Sequence, residues 1–159
     1  RVAYQQAIDS GHPNWAPRAM IGLGLFLAYQ GDIAGARMAY QQAIDSGHPN
    51  AAPLAMVGLS PVLAVEGQTN GAHVLLRLAA RAGNPRADDY AAVLDDDPRV
   101  RERARASLNI LADGGDTDAL NFLGVAAWRE GARDEARALW RRSHDARNVT
   151  APLLLGAKE

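Results

Sequence analysis

The chain lacks cysteine altogether and has one lysine, few aromatic residues and no long apolar run among its 159 residues. Because it has no cysteine, it can hold neither a disulfide framework nor a thiolate metal site. Its longest apolar run, around residues 21–28, is too short and too interrupted by glycine to cross a bilayer, and no signal-peptide pattern opens the chain. The sequence therefore predicts a soluble, cytoplasmic protein without membrane contact. Its 48% of apolar residues are enough to build a core.

The chain also lacks a strong charge of either sign. Its formal net charge is -1, with 6 arginines against 9 acids in residues 1–97 and 11 basic groups against 9 acids in residues 98–159. This mild asymmetry gives no basic surface for nucleic acid, so no nucleic-acid partner is predicted. Sixteen arginines beside one lysine, with abundant alanine, resemble the amino-acid usage of a GC-rich bacterial genome.

What the chain has instead is an internal repeat. Residues 4–14 return unchanged as residues 40–50, so the period is 36 residues. A unit of this length cannot bury its apolar face alone, and its copies must stack into an extended array with a continuous core. Because Arg1 aligns with Arg37 in the second half of a unit, the chain is expected to be a fragment of a longer protein.

Each unit carries two helical patterns, helix A and helix B. In the first complete unit, apolar Met20, Leu23 and Leu27 recur at spacings of three and four residues, which is helical periodicity. Gly31 ends this helix A, and Asp32 is placed to cap a second periodic stretch, helix B. The unit is therefore predicted to be a helical hairpin with a short turn at each end.

Small residues recur where the two helices of a unit would cross, and large residues recur opposite them, so that layers can interdigitate. The pattern is Leu23-Gly24, Gly31, Ala36, Tyr40, Ala43 and Pro49, and again Leu123-Gly124, Gly131, Ala136 and Trp140. At these residues the chain resembles the tetratricopeptide repeat family, and residues 112–119 followed by Leu123-Gly124 also resemble the related Sel1-like repeat. Either resemblance implies an all-α fold, a right-handed superhelical solenoid of antiparallel helix hairpins.

The regularity of the repeats decays toward the C-terminus. Pro61 falls inside the second helix A and predicts a kink or break there. A truncated third helix A is expected near residues 86–94, followed by a helix B that starts at Asp97-Pro98 and runs to about residue 112. We therefore divide a single repeat domain, residues 1–159, into a half repeat 1–14, repeats 15–50 and 51–85, a degenerate short repeat 86–114, a repeat 115–149 and a terminal capping helix 150–159.

The resemblance also implies a binding surface, the concave wall lined by the A helices. The residues it assigns to partner binding are Arg18, Ile21, Leu25, Tyr29, Val57, Pro61, Val65, Asn121, Val125, Trp128 and Arg129. This wall is mostly apolar, which suits an amphipathic helix or an apolar extended segment better than a peptide carboxylate. Two alternatives stay open: these side chains pack against neighbouring helices, or the wall is covered by another part of the same protein.

Candidate sites for chemistry are weak. His12 and His48 occupy the same loop position one repeat apart, too far to share a metal ion. The run Gly22-Leu23-Gly24 lacks the third glycine and the preceding strand of a nucleotide loop. No nucleophile, base and orienting group stand at mutually sensible positions, so the sequence predicts no enzyme, no cofactor and no metal.

The sequence is compatible with three functions. The first is a protein-protein interaction scaffold that binds a partner peptide or helix along the concave helix A surface. The second is a structural spacer or self-assembling repeat array, in which copies of the chain associate. The third is a docking or regulatory domain of a larger multidomain enzyme.

Overall fold

The structure, a computed structural model, describes residues 1–157, and within them the chain is all-helical without any strand. The last two residues of the predicted capping segment lie outside this range. The helices are α1 (Val2–Asp9), α2 (Trp15–Tyr29), α3 (Ile33–Asp45), α4 (Ala51–Val65), α5 (Thr69–Arg81), α6 (Ala87–Ala92), α7 (Pro98–Asp113), α8 (Thr117–Arg129), α9 (Arg133–Asp145) and α10 (Ala151–Leu155).

Local signals set the ends of these helices. The carboxylate of Asp32 accepts a hydrogen bond from the amide of Gly35 at 2.9 Å, which confirms the predicted cap of α3. Asp97 caps α7 in the same way, and Pro98 stands at its first helical position. Gly47 follows α3 with a φ of 62°, the left-handed conformation that glycine adopts without a steric cost.

The crossing of the two helices in a hairpin depends on glycine. A Cβ atom on Gly24 would lie 2.6 Å from Cε1 of Tyr40, and one on Gly124 would lie 2.2 Å from Nε1 of Trp140. Each glycine therefore makes room for the aromatic ring on the next helix. In the second hairpin Ser60 stands at the position of the glycine, and Leu76 stands at the position of the aromatic residue. The hydroxyl of Ser60 donates to the carbonyl of Met56 at 2.7 Å.

The predicted break at Pro61 is wrong. Helix α4 runs without interruption from Ala51 to Val65 with Pro61 inside it. Proline costs about 3 kcal/mol in an isolated helix interior, but burial of the surrounding helix opposes that cost. Eleven of the fifteen residues of α4, Pro61 included, are buried, which makes it the central helix of the molecule.

The helices contact one another mainly in chain order, and the hairpin partners α2 and α3, α4 and α5, and α8 and α9 have the most extensive contacts. One departure from a regular stack concerns the short repeat. Helix α4 contacts α8, and α10 contacts α2, α4 and α9. Helix α6 has only six residues, and the contacts of α4 with α8 and α10 join the C-terminal part of the chain directly to the second hairpin. The right-handed superhelix stays a prediction.

Candidate binding cleft

The structure divides the predicted partner-binding residues into two groups. Five of the eleven are buried and have no surface to offer a partner: Val57, Pro61, Asn121, Val125 and Trp128. The assignment of these five to an open concave wall is therefore corrected. They lie on α4 and α8, the two helices that contact each other, so the alternative of packing against neighbouring helices describes them.

The segment between α9 and α10 fixes this closed arrangement. The hydroxyl of Thr150 donates to the carbonyl of Gly58 at 2.9 Å, and the hydroxyl of Tyr40 donates to the carbonyl of Val149 at 2.8 Å. Both bonds join residues that are far apart in the chain. Burial also raises the pKa of Tyr40, because the ionised phenolate would be poorly solvated there, so its hydroxyl stays a donor.

Two of the predicted partner-binding residues, Trp128 and Arg129, make contacts within the protein. The ring of Trp128 lies 5.3 Å from that of Trp140, and the guanidinium of Arg133 stands 3.9 Å from the centre of the Trp128 ring. Arg129 is exposed, but its Nη1 donates to the carbonyl of Leu94 at 3.0 Å. Trp128 therefore packs within the α8–α9 hairpin, whereas Arg129 connects this hairpin to the segment between α6 and α7.

The other predicted residues keep accessible surface. Arg18 and Tyr29 are exposed, and Ile21 and Leu25 are half-buried, all four on α2. Val65 is half-buried on α4 and lines an apolar hollow of about 460 Å³ beside α10.

A second hollow brings part of α2 and α4 together with the C-terminal hairpin. This inter-hairpin cleft has a volume of about 250 Å³. Ile21 and Leu54 form apolar walls, whereas Asp118, Arg147 and Asn148 supply polar groups from the other side. Of the predicted binding residues, only Ile21 lines this cleft.

Asn148 is the centre of the polar side of the cleft. Its Nδ2 donates to Oγ1 of Thr117 at 2.9 Å and to Oδ1 of Asp118 at 2.8 Å. Its Oδ1 accepts from Nδ2 of Asn121 and from the amide of Thr150, both at 2.8 Å. Four hydrogen bonds satisfy the Asn148 side chain and hold the carboxylate of Asp118 in one orientation.

Asp118 places a carboxyl group where it is poorly solvated. Burial raises the pKa of its carboxyl group, and the like charge of Asp116 acts in the same direction. The hydrogen bond from Asn148 and the more distant charge of Arg86 oppose the shift. The Asp116 carboxylate is itself bound, since it accepts from Nη1 of Arg86 and from the hydroxyl of Tyr90, each at 2.7 Å.

Comparison with family models, curated proteins and solved structures gives no significant match. The resemblance to tetratricopeptide and Sel1-like repeats therefore rests on the repeat residues alone.

Two of the four histidines, His12 and His48, accept hydrogen bonds from backbone amides at the starts of helices. Nδ1 of His48 accepts from the amides of Asn50 and Ala51 at 3.2 and 3.1 Å, at the start of α4. Nδ1 of His12 takes the same role before α2 at longer distances. Within residues 1–157 no group of three or more histidine or acidic side chains is placed to hold a metal ion, and no helix has the length and apolar character to cross a membrane.

Arg147 and Asn148 were not predicted as site residues from the sequence. Both lie after the end of α9, in a turn, whereas the resemblance places binding residues on A helices. One signal was present: Arg147 stands where Gly11 and Gly47 stand in the first two repeats. A large charged residue at a position that elsewhere needs glycine indicates a specialised turn.

Proposed function

We propose that the protein is an interaction module that holds a segment of a partner protein at the inter-hairpin cleft. One observation supports this proposal. Two accessible apolar residues of the first hairpins, Ile21 and Leu54, line the same cleft as the hydrogen-bonded side chains of Asp118 and Asn148. Apolar walls with a few oriented polar groups are the usual composition of a binding site. The neighbouring exposed residues Arg18 and Tyr29 extend the surface along α2.

The size of the cleft favours a partner side chain over a free small molecule. Sites for small molecules and cofactors usually have volumes of about 300–1,000 Å³. The inter-hairpin cleft, at about 250 Å³, is smaller than this range. It suits one anchoring side chain of a larger partner, whose remaining contacts would lie on α2 and α4.

The test uses peptides selected on the purified protein from a random phage-displayed library. Leu54 is 58% exposed in the cleft wall, and Val74 is 53% exposed on α5, away from the cleft, so Val74→Asp is a matched control for Leu54→Asp. We expect Leu54→Asp to weaken the selected peptides about tenfold or more, and Val74→Asp to leave them unchanged. Equal binding to wild type and Leu54→Asp, or failure to select any peptide, would reject the proposed function.

A second candidate is the self-assembling array, which a separate observation favours. Val2, Met38 and Val74 stand at the same position of three successive B helices and are 71%, 66% and 53% exposed. A row of exposed apolar side chains on one face favours association between copies. Light scattering over a range of concentrations tests this candidate: association predicts a mass that rises with concentration in the wild type and stays at the monomer value in Met38→Asp.

A further inference from the structure

Asp118 has a hydrogen-bonding capacity that the described chain does not use. Its Oδ1 accepts from Asn148, whereas no residue between 1 and 157 donates to its Oδ2. No arginine or lysine in that range lies within salt-bridge distance of it. Asp118 is one of the residues that line the inter-hairpin cleft, so a ligand that enters the cleft meets this residue. A desolvated carboxylate without a cation gains most from a cation supplied by a ligand.

We propose that the inter-hairpin cleft accepts a lysine side chain of a partner protein, whose ammonium group donates to Oδ2 of Asp118. The aliphatic stem of the lysine lies between Ile21 and Leu54, which supply the apolar walls. This inference rests on the proposed function, because it names the side chain that anchors the partner at the same cleft.

The geometry favours an ammonium group over a guanidinium group. Arginine binds carboxylates best through two parallel hydrogen bonds, one to each oxygen. Asn148 already donates to Oδ1 of Asp118 and holds it in place, so only Oδ2 is free for a ligand. A compact ammonium needs one such oxygen and can direct its other two N–H groups to water at the mouth of the cleft.

An anionic ligand is the competing class, because Arg147 also lines the cleft. Arg147 is exposed, whereas Asp118 is half-buried and bound by the buried Asn148. An anion in the cleft would approach a poorly solvated carboxylate, and its attraction to the solvated Arg147 would be screened by water. The two ligand classes make opposite predictions for removal of Arg147.

The direct test titrates n-butylammonium, a mimic of the lysine side chain, into ¹⁵N-labelled protein at pH 7 and constant ionic strength. The side-chain amide signals of Asn148 and Asn121 report on the cleft. We expect saturable shifts with a Kd on the order of 10 mM, a value in keeping with a ligand of five heavy atoms. Neutral n-butanol should bind at least fivefold more weakly, and n-butylguanidinium more weakly than n-butylammonium. Tighter binding of the guanidinium or of n-butanol, or no saturable shift, would overturn the inference.

Asp118→Asn is the variant that isolates the charge. An asparagine at this position still offers an oxygen to Nδ2 of Asn148, so the network and the fold are expected to persist. We expect this variant to bind n-butylammonium at least tenfold more weakly, whereas Asp113→Asn, at the exposed end of α7, should bind it as the wild type does. Equal binding by Asp118→Asn and wild type would contradict the assignment of Asp118.

Arg147→Gly distinguishes the two ligand classes. Arg147 and n-butylammonium are both positively charged, so removal of Arg147 should strengthen n-butylammonium binding. We expect only about a twofold effect, because water and salt screen the repulsion from an exposed residue. Saturable binding of n-butyrate that Arg147→Gly abolishes would instead assign the cleft to anions and overturn the lysine inference.

The lysine inference and the proposed function can fail separately. If selected peptides lose affinity for Leu54→Asp but bind Asp118→Asn as well as wild type, the cleft holds a partner without a lysine anchor. If n-butylammonium binds and no peptide depends on Leu54, the interaction module is rejected and the ammonium site remains as a small-molecule site.

Discussion

Arg147 is the one residue other than glycine that adopts a positive φ within residues 1–157, at 61°. Gly11 and Gly47 have nearly the same φ at the equivalent turns. A side chain in this left-handed conformation brings Cβ close to the backbone and costs about 1–2 kcal/mol. The hydrogen bonds on either side of Arg147, from Asn148 to Ser143 and from Thr150 to Asn148, hold the turn in place.

Replacement of Arg147 by glycine should therefore stabilise the protein. We expect Arg147→Gly to raise the free energy of unfolding by about 0.5–1 kcal/mol, since the relief of strain exceeds the added backbone entropy of the unfolded chain. Urea denaturation measures the change. Arg147→Ala, which removes the charge and keeps the strain, is the control and should give no gain; an equal gain in both variants would attribute the effect to charge.

The carboxyl of Asp118 should make stability fall with rising pH. Its pKa is raised in the folded state, so folding favours the protonated form. This contribution is present below the unfolded value of 3.8 and is lost as pH rises through the folded value. The charged groups that face Asp118 are Asp116, Arg86 and, across the cleft, Arg147.

Asp118→Asn removes the free-energy cost of ionising this carboxyl group in the folded protein. We expect the variant to unfold at a higher urea concentration than the wild type at pH 7, and the two midpoints to converge near pH 3, where the wild-type carboxyl is protonated. A wild type that is more stable than Asp118→Asn at pH 7 would show that the ionised carboxylate is well compensated in the fold.

The crossing of α8 and α9 depends on the absence of a side chain at Gly124. A Cβ on Gly124 would meet the rigid indole of Trp140, whose Nε1 also donates to the carbonyl of Asn121 at 3.2 Å. By contrast, a Cβ on Gly71 in α5 would lie 3.5 Å from a methyl group of Leu63, an ordinary contact.

The same substitution should therefore have opposite effects at the two sites. We expect Gly124→Ala to lower the free energy of unfolding by about 1–3 kcal/mol through overpacking. Gly71→Ala should raise it by up to about 1 kcal/mol, because alanine favours the helix. Thermal unfolding of the two variants measures both changes. An unchanged free energy of unfolding in Gly124→Ala would mean that α8 and α9 can move apart at this crossing at no cost in stability.

The helices themselves could be predicted from sequence because their signals are local. Apolar spacing, Asp32 and Asp97 as caps, and glycines after helix ends act within a few residues, and these helices begin and end close to the predicted positions. The glycine-aromatic crossings were also visible, since both partners lie in one repeat. Of the kink or break predicted at Pro61, the break does not occur, and the burial of α4 that opposes it depends on helices far away in the chain.

The binding site could be predicted only in part, because its geometry depends on the whole molecule. The A-helix wall was assigned by analogy with a regular stack. In the structure α8 contacts α4, and Val57, Pro61, Asn121, Val125 and Trp128, all on these two helices, are buried. No local pattern encodes a contact between helices separated by three others. Of the accessible predicted residues, Ile21 lines the cleft, together with a turn that the repeat pattern did not select.

In the whole molecule, the C-terminal hairpin and α10 pack against α4, and the inter-hairpin cleft lies between them and α2. The absence of cysteine allows a direct measurement of this packing with one introduced pair, Gly58→Cys with Thr150→Cys. A Cβ on Gly58 would lie 3.0 Å from Oγ1 of Thr150, which is close enough for the two sulfur atoms to meet. On mild oxidation of the dilute protein, we predict an intramolecular disulfide in nearly every molecule, so that neither thiol reacts with a labelling reagent after denaturation. Two thiols that label once the oxidised protein is denatured would contradict the closed arrangement.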